Sequence, residues 1–129
     1  MDFTITIYKE LLSSLINQNY SFQTFEEYIR APKEKCIILR HDVDDKKQNS
    51  LEFAKIQNEL CIKGTYYFRI VSQSFDENVM KEIHELGHEI GYHYETMDRS
   101  KGNIDKAYYE FCGHLITFRK IVPVSTICM

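Results

Sequence analysis

Apolar residues along the chain repeat with two periods, one helical and one typical of strands. Tyr8, Leu11, Leu12, Leu15 and Ile16 fall at helical spacing and predict a helix over residues 8–18. A second, short helix is predicted over residues 24–29. Thr24 can act as its N-cap, and Glu27, three positions on, completes a capping box. Pro32 ends that region. The run Cys36-Ile37-Ile38-Leu39 is continuously apolar and reads as a strand buried on both faces, as in a parallel sheet. Phe53, Ile56, Gln57 and Leu60 place a helix over residues 47–61, with Gly64 just past it. Residues 65–71 are aromatic and β-branched, which favours a strand. Val79, Met80, Ile83 and Leu86 form another helical stripe, stopped by Gly87. A third strand is predicted over residues 88–93. A long helix then carries Tyr108, Phe111, Leu115, Phe118 and Val122 up to Pro123, and residues 124–128 read as a fourth strand.

Two helices followed by strands that alternate with helices predict an α/β fold built on right-handed crossovers and a parallel sheet. In such folds the site lies at the carboxyl ends of the strands. The polar clusters at residues 40–45 and 93–95 fall at those ends. No repeat, linker or like-charge block divides the 129 residues, so one domain over 1–129 is expected. With 43% hydrophobic and 27% charged residues, the composition excludes a disordered chain or a fibre. Sixteen basic against nineteen acidic residues, net −3, argue against nucleic acid as a partner. Asp2, Lys9 and Glu10 interrupt the start, where a signal peptide needs a basic end and an apolar stretch. No apolar run approaches the roughly 20 residues of a membrane span. A cytoplasmic location is therefore expected. Cys36, Cys61, Cys112 and Cys128 form no CxxC pair and are expected to stay reduced, with Cys36 and Cys128 as small buried residues of strands.

Three carboxylates, Asp42, Asp44 and Asp45, lie together beside His41. So close a group repels itself unless a cation or protonation relieves it. A divalent metal would do so, with a carboxylate beside it as general base. The plainer reading is a solvated acidic turn at the start of the next helix, where the helix dipole favours negative charge. His93 follows Gly91 at a predicted strand end, so Asp44 and His93 could meet. A competing pattern is His84-Glu85-Leu86-Gly87-His88, which matches the HExxH string of zinc proteases. That chemistry needs both histidines on one helix, and Gly87 predicts a helix end between them. Residue 94, where a longer version of the pattern wants a third histidine, is Tyr94. His84 then reads as an exposed helix residue, His88 as part of a turn and His114 as a surface residue. Tyr66 and Tyr67 read as strand core, or one of them lines a sugar site.

Taken in order, residues 37–45 (Ile-Ile-Leu-Arg-His-Asp-Val-Asp-Asp), 63–68 (Lys-Gly-Thr-Tyr-Tyr-Phe) and 85–93 (Glu-Leu-Gly-His-Glu-Ile-Gly-Tyr-His) resemble the polysaccharide deacetylase family, the family-four carbohydrate esterases. The family's first motif is a strand ending in Thr-Phe-Asp-Asp-Gly, and its second is Gly-His-Glu-Ile-Gly-Asn-His-Ser/Thr-x-x-His. The resemblance covers residues 36–95, roughly half the chain. It implies a distorted parallel (β/α) barrel and metal-dependent removal of an acetyl group from a sugar in surface polysaccharide metabolism. It further implies zinc as the cation and an acetylated sugar or polysaccharide precursor as substrate. Carried over, Asp42 is the general base and Asp44 and His93 are metal ligands. Pairing Asp44-Asp45 with the family's Asp-Asp would instead make Asp44 the base and Asp45 the ligand. The i, i+2 spacing of Asp42 and Asp44 favours the first alignment.

The departures are specific. The family's second histidine ligand falls at Met97, a poor partner for zinc beside hard donors. Glu95, or a residue beyond this chain, would have to replace it. The family's later motifs have no counterpart here. A complete barrel usually takes about 200 residues or more, so the chain is expected to be the N-terminal half, about four strands, incomplete at its C-terminus. Open sheet edges then predict self-association. Two other readings remain: a non-catalytic fragment that keeps the fold, and the HExxH protease.

Overall fold

The computed structural model describes residues 4–129. The elements are α1 (Ile5–Asn17), β1 (Ser21–Phe22), α2 (Phe25–Arg30), β2 (Cys36–Ile37), β3 (Arg40–Val43) and α3 (Lys47–Glu59). They continue as β4 (Thr65–Phe68), α4 (Glu77–Glu85), β5 (Glu89–His93), α5 (Thr96–Arg99), α6 (Ile104–Arg119) and β6 (Ile127–Cys128). All strand pairings are parallel. β1 and β2 form a small two-stranded sheet, and β3-β4-β5-β6 form a four-stranded sheet in chain order. The fold is thus mixed α/β with parallel strands, and the larger sheet is open, with β3 and β6 at its edges.

The first predicted strand is displaced. Cys36 and Ile37 are only half-buried and pair with Ser21 and Phe22 in the small sheet. The first strand of the larger sheet is Arg40-His41-Asp42-Val43 itself. The polar cluster expected after a strand is therefore the strand, joined to β4 from its first residues (Thr65 N–H donates to Leu39 C=O at 2.8 Å). The reason is facial. Val43 is buried in the core, whereas Arg40 and Asp42 lie on the opposite, half-open face, so the strand never shows a run of apolar letters.

Helices α3, α4 and α6 cover one face of the larger sheet. Val43, Tyr66, Phe68, Ile90 and Tyr92 pack there against Leu51, Ala54, Val79, Met80, Ile83 and Phe118. Fully burying side chains of this size contributes about 1.5–3 kcal/mol each. The other face is polar. Its floor is Glu89, whose buried carboxylate accepts hydrogen bonds from Thr65 Oγ1 (2.9 Å), from the Thr126 hydroxyl and from the backbone N–H of Glu26 at the start of α2 (2.9 Å). The Phe25 N–H donates to Thr65 Oγ1 at 2.9 Å. Helix α2 itself starts as expected. The Thr24 hydroxyl accepts from the Glu27 N–H, and the Glu27 carboxylate accepts from the Thr24 N–H. No helix among the described residues is long and apolar enough to cross a membrane.

Candidate metal centre

Above that floor the registers bring three strand ends together. Asp42 of β3, Tyr67 of β4 and Gly91 of β5 lie at one level, and His93 of β5 pairs with Cys128 of β6 further along. One ligand atom from each of Asp42, His93 and Cys128 lies within 4.8 Å of the other two. His93 Nδ1 is 3.1 Å from Cys128 Sγ, and that sulfur is 3.9 Å from Asp42 Oδ1. Gly91 makes the arrangement fit. A Cβ there would stand 2.2 Å from Tyr67 Cε1, so the tyrosine ring can cross the strand only over a glycine. Tyr67 donates its hydroxyl to Thr126 Oγ1 at 3.1 Å. The Arg40 guanidinium sits 5.5 Å from the Tyr67 ring centroid and donates to both oxygens of Asp42, from Nε at 2.8 Å and from Nη2 at 2.9 Å. The carboxylate is therefore held in one orientation by a planar, two-pronged donor.

Burial pushes the Cys128 thiol up to about 11; the Arg40 charge opposes this and the Asp42 charge adds to it. Without a cation the group is a thiol at neutral pH, and the thiol is a poor nucleophile. His41, although inside the motif, faces the core. Its ring stacks on Tyr66, with centroids 4.4 Å apart and planes 10° from parallel, and its Nε2 lies 2.6 Å from Gln57 Nε2. Desolvation, helped by nearby His88, lowers it to about 4, with Asp42 pulling the other way.

Comparison of the chain with protein-family models, with curated proteins and with solved structures finds no match.

The structure brings Asp42 and His93 together but leaves Asp44 apart. Strand β3 ends at Val43, so the alternation that would turn Asp44 the same way as Asp42 has stopped. Asp44 is exposed, with Oδ1 3.8 Å from Arg69 Nη1. Asp45 is exposed as well. No side chain of this acidic turn caps α3, whose N-cap is Lys46 in the left-handed region at φ 47°. Glu95 accepts from Arg69 Nη2 at 2.8 Å. Met97 lies on α5, an element the sequence reading missed, and shares an open cavity of about 160 Å³ with His93 and Met129.

The two histidines of the HExxH string do not share a helix. Helix α4 ends at Glu85, Gly87 turns the chain at φ 91°, and His84 is left exposed. His88 is buried and fully engaged: Nδ1 accepts from the Gly64 N–H at 3.0 Å, and Nε2 meets the Ala54 carbonyl at 2.9 Å. His114, expected at the surface, is half-buried beside the Tyr92 hydroxyl, 2.7 Å from Nδ1. Cys128 was the residue missed. Read as a small core residue, it is half-buried on the polar face. The one signal for it was its place in the fourth strand, next to the strand that carries His93.

The donor set fits a divalent cation. A carboxylate offers about four acceptor directions and Arg40 uses two, so Asp42 keeps one on each oxygen. Carboxylate, imidazole and thiolate together suit a borderline-soft ion such as zinc.

Proposed function

We propose that the chain is a metal-dependent hydrolase domain of the polysaccharide deacetylase type, a partial (β/α) barrel that acts on the acetyl group of a sugar. The observation that carries this reading is the meeting of Asp42 and His93. They come from two separate segments that resemble the family's two motifs, and their ligand atoms lie within 4.8 Å at the carboxyl ends of parallel strands. A bound zinc ion would polarise the acetyl carbonyl and make water more acidic. His93 would be a donor to it. Asp42, its orientation fixed by Arg40, would hold the ion through one oxygen and would take the proton of the attacking water on the other. Tyr67 supports Arg40 from below and adds an aromatic wall.

The test has two steps. Elemental mass spectrometry of the purified chain should find roughly one zinc or similar ion per molecule, as a single catalytic site requires. That ion should be absent from Asp42→Asn and His93→Ala and retained in His84→Ala. Acetate release from N- and O-acetylated oligosaccharides should then fall about a hundredfold or more in Asp42→Asn, which removes a donor to the ion and the proton acceptor together. Metal retained by Asp42→Asn, or lost only in His84→Ala, would overturn the proposed site. Metal bound without acetate release from any acetylated sugar would favour a non-catalytic domain that keeps the centre.

A further inference from the structure

We infer that Cys128 is a thiolate ligand of the cation at this centre, which makes the site one for zinc, cobalt or iron rather than magnesium or calcium. The inference rests on the metal-dependent reading above and deepens it. Two chemistries could explain a cysteine beside a histidine and an aspartate: a nucleophile activated by a base, or a ligand set. In a nucleophile triad the three groups form a line, with the carboxylate on the far nitrogen of the imidazole. Here they converge. Cys128 Sγ is 3.1 Å from His93 Nδ1 and 3.9 Å from Asp42 Oδ1, so the carboxylate faces the sulfur itself. A thiolate formed against that carboxylate would be repelled, unless positive charge lies between the two. Arg40 is engaged by both Asp42 oxygens on one side, and a divalent ion would supply the charge on the side of the sulfur.

The position is also held rigidly. Cys128 pairs in register with His93, and Thr126, two residues before it, is tied to Tyr67 and Glu89 through its hydroxyl. Thiolate and imidazole together with one carboxylate select borderline-soft ions, whereas magnesium and calcium call for oxygen donors. The chemistry balances without an oxidant. The thiol loses its proton to solvent as the sulfur–metal bond forms.

Cobalt(II) titration of the whole chain, under a reductant that does not bind metal, tests the assignment. A sulfur-to-cobalt charge-transfer band in the near ultraviolet should rise together with the visible ligand-field bands. Cys128→Ser should lose the charge-transfer band and bind at least tenfold more weakly. Asp42→Asn should weaken binding as well. In the unmutated protein, zinc should slow alkylation of Cys128 at least tenfold while leaving exposed Cys61 unprotected. Magnesium at the same concentration should do neither. Cobalt bound with ligand-field bands but no charge-transfer band, or a band that survives in Cys128→Ser, would overturn the role of Cys128 and leave the metal centre standing. Failure to bind cobalt at all would overturn both.

Discussion

A single missing side chain decides how the centre is assembled. At position 91 a Cβ would stand 2.2 Å from the Tyr67 ring, and Tyr67 in turn lies beneath Arg40, the residue that holds Asp42. Gly91→Ala must therefore push the ring, and overpacking of this kind costs about 1–3 kcal/mol. Urea unfolding should show that loss. Replacing Tyr67 with leucine in the same chain should recover most of it, because the clash is with the ring. At this scale the sequence was informative where chemistry is written in unusual letters. Asp42 and His93 stand out through the two segments that resemble the family's motifs, since an acidic turn and a lone strand-end histidine are ordinary by themselves. Cys128 does not stand out, since a cysteine in an apolar strand looks like any small core residue. Asp44 lies apart because i, i+2 spacing aligns two side chains only while the chain stays extended, and β3 ends one residue before it.

At the scale of elements, β3 joins two environments. Asp42 faces the polar side, and His41, one residue away, is locked between Tyr66 and Gln57 against α3. The ordinary value for histidine is 6.5 and burial lowers His41 to about 4, so the unfolded chain takes up its proton first as the pH falls. This contribution to stability is complete above pH 6.5 and is lost between 6.5 and 4. The full loss amounts to about 3 kcal/mol. His88 is shifted in the same direction by burial and steepens the decline. The urea midpoint should therefore drop across that window. His41→Asn should be less stable at pH 7 and show a shallower slope. A slope unchanged by the substitution would place the titration elsewhere.

The elements themselves were largely readable. Helices α1, α2, α3, α4 and α6 and strands β4, β5 and β6 lie where periodicity, caps and glycine stops put them. The pattern does not show β1 and α5, which are only two and four residues long, and it misplaces the first strand of the larger sheet, because a one-sided polar strand carries no apolar run to find.

At the scale of the whole molecule, the helices bury one face of the sheet and leave the other polar, with Asp42, His93 and Cys128 on it. A ligand that binds only the folded chain adds to its stability. Zinc at about a hundred times its dissociation constant should therefore contribute about 2.7 kcal/mol. A chelator should remove that gain from the unmutated protein, and Asp42→Asn should show none to remove. Equal stabilisation of the variant would mean that zinc binds elsewhere.

The Glu89 floor bears on traffic. That carboxylate and Thr65 pin the start of α2 to the amino ends of β4 and β5. The centre lies further along the sheet, towards the carboxyl ends of the strands, where Asp42 is exposed. On the proposed hydrolase reading, a sugar would enter from those carboxyl ends, over an ion already seated among Asp42, His93 and Cys128. Loading would then have a compulsory order, the ion first and the sugar second, and a sugar in place would hold the ion against exchange until it left.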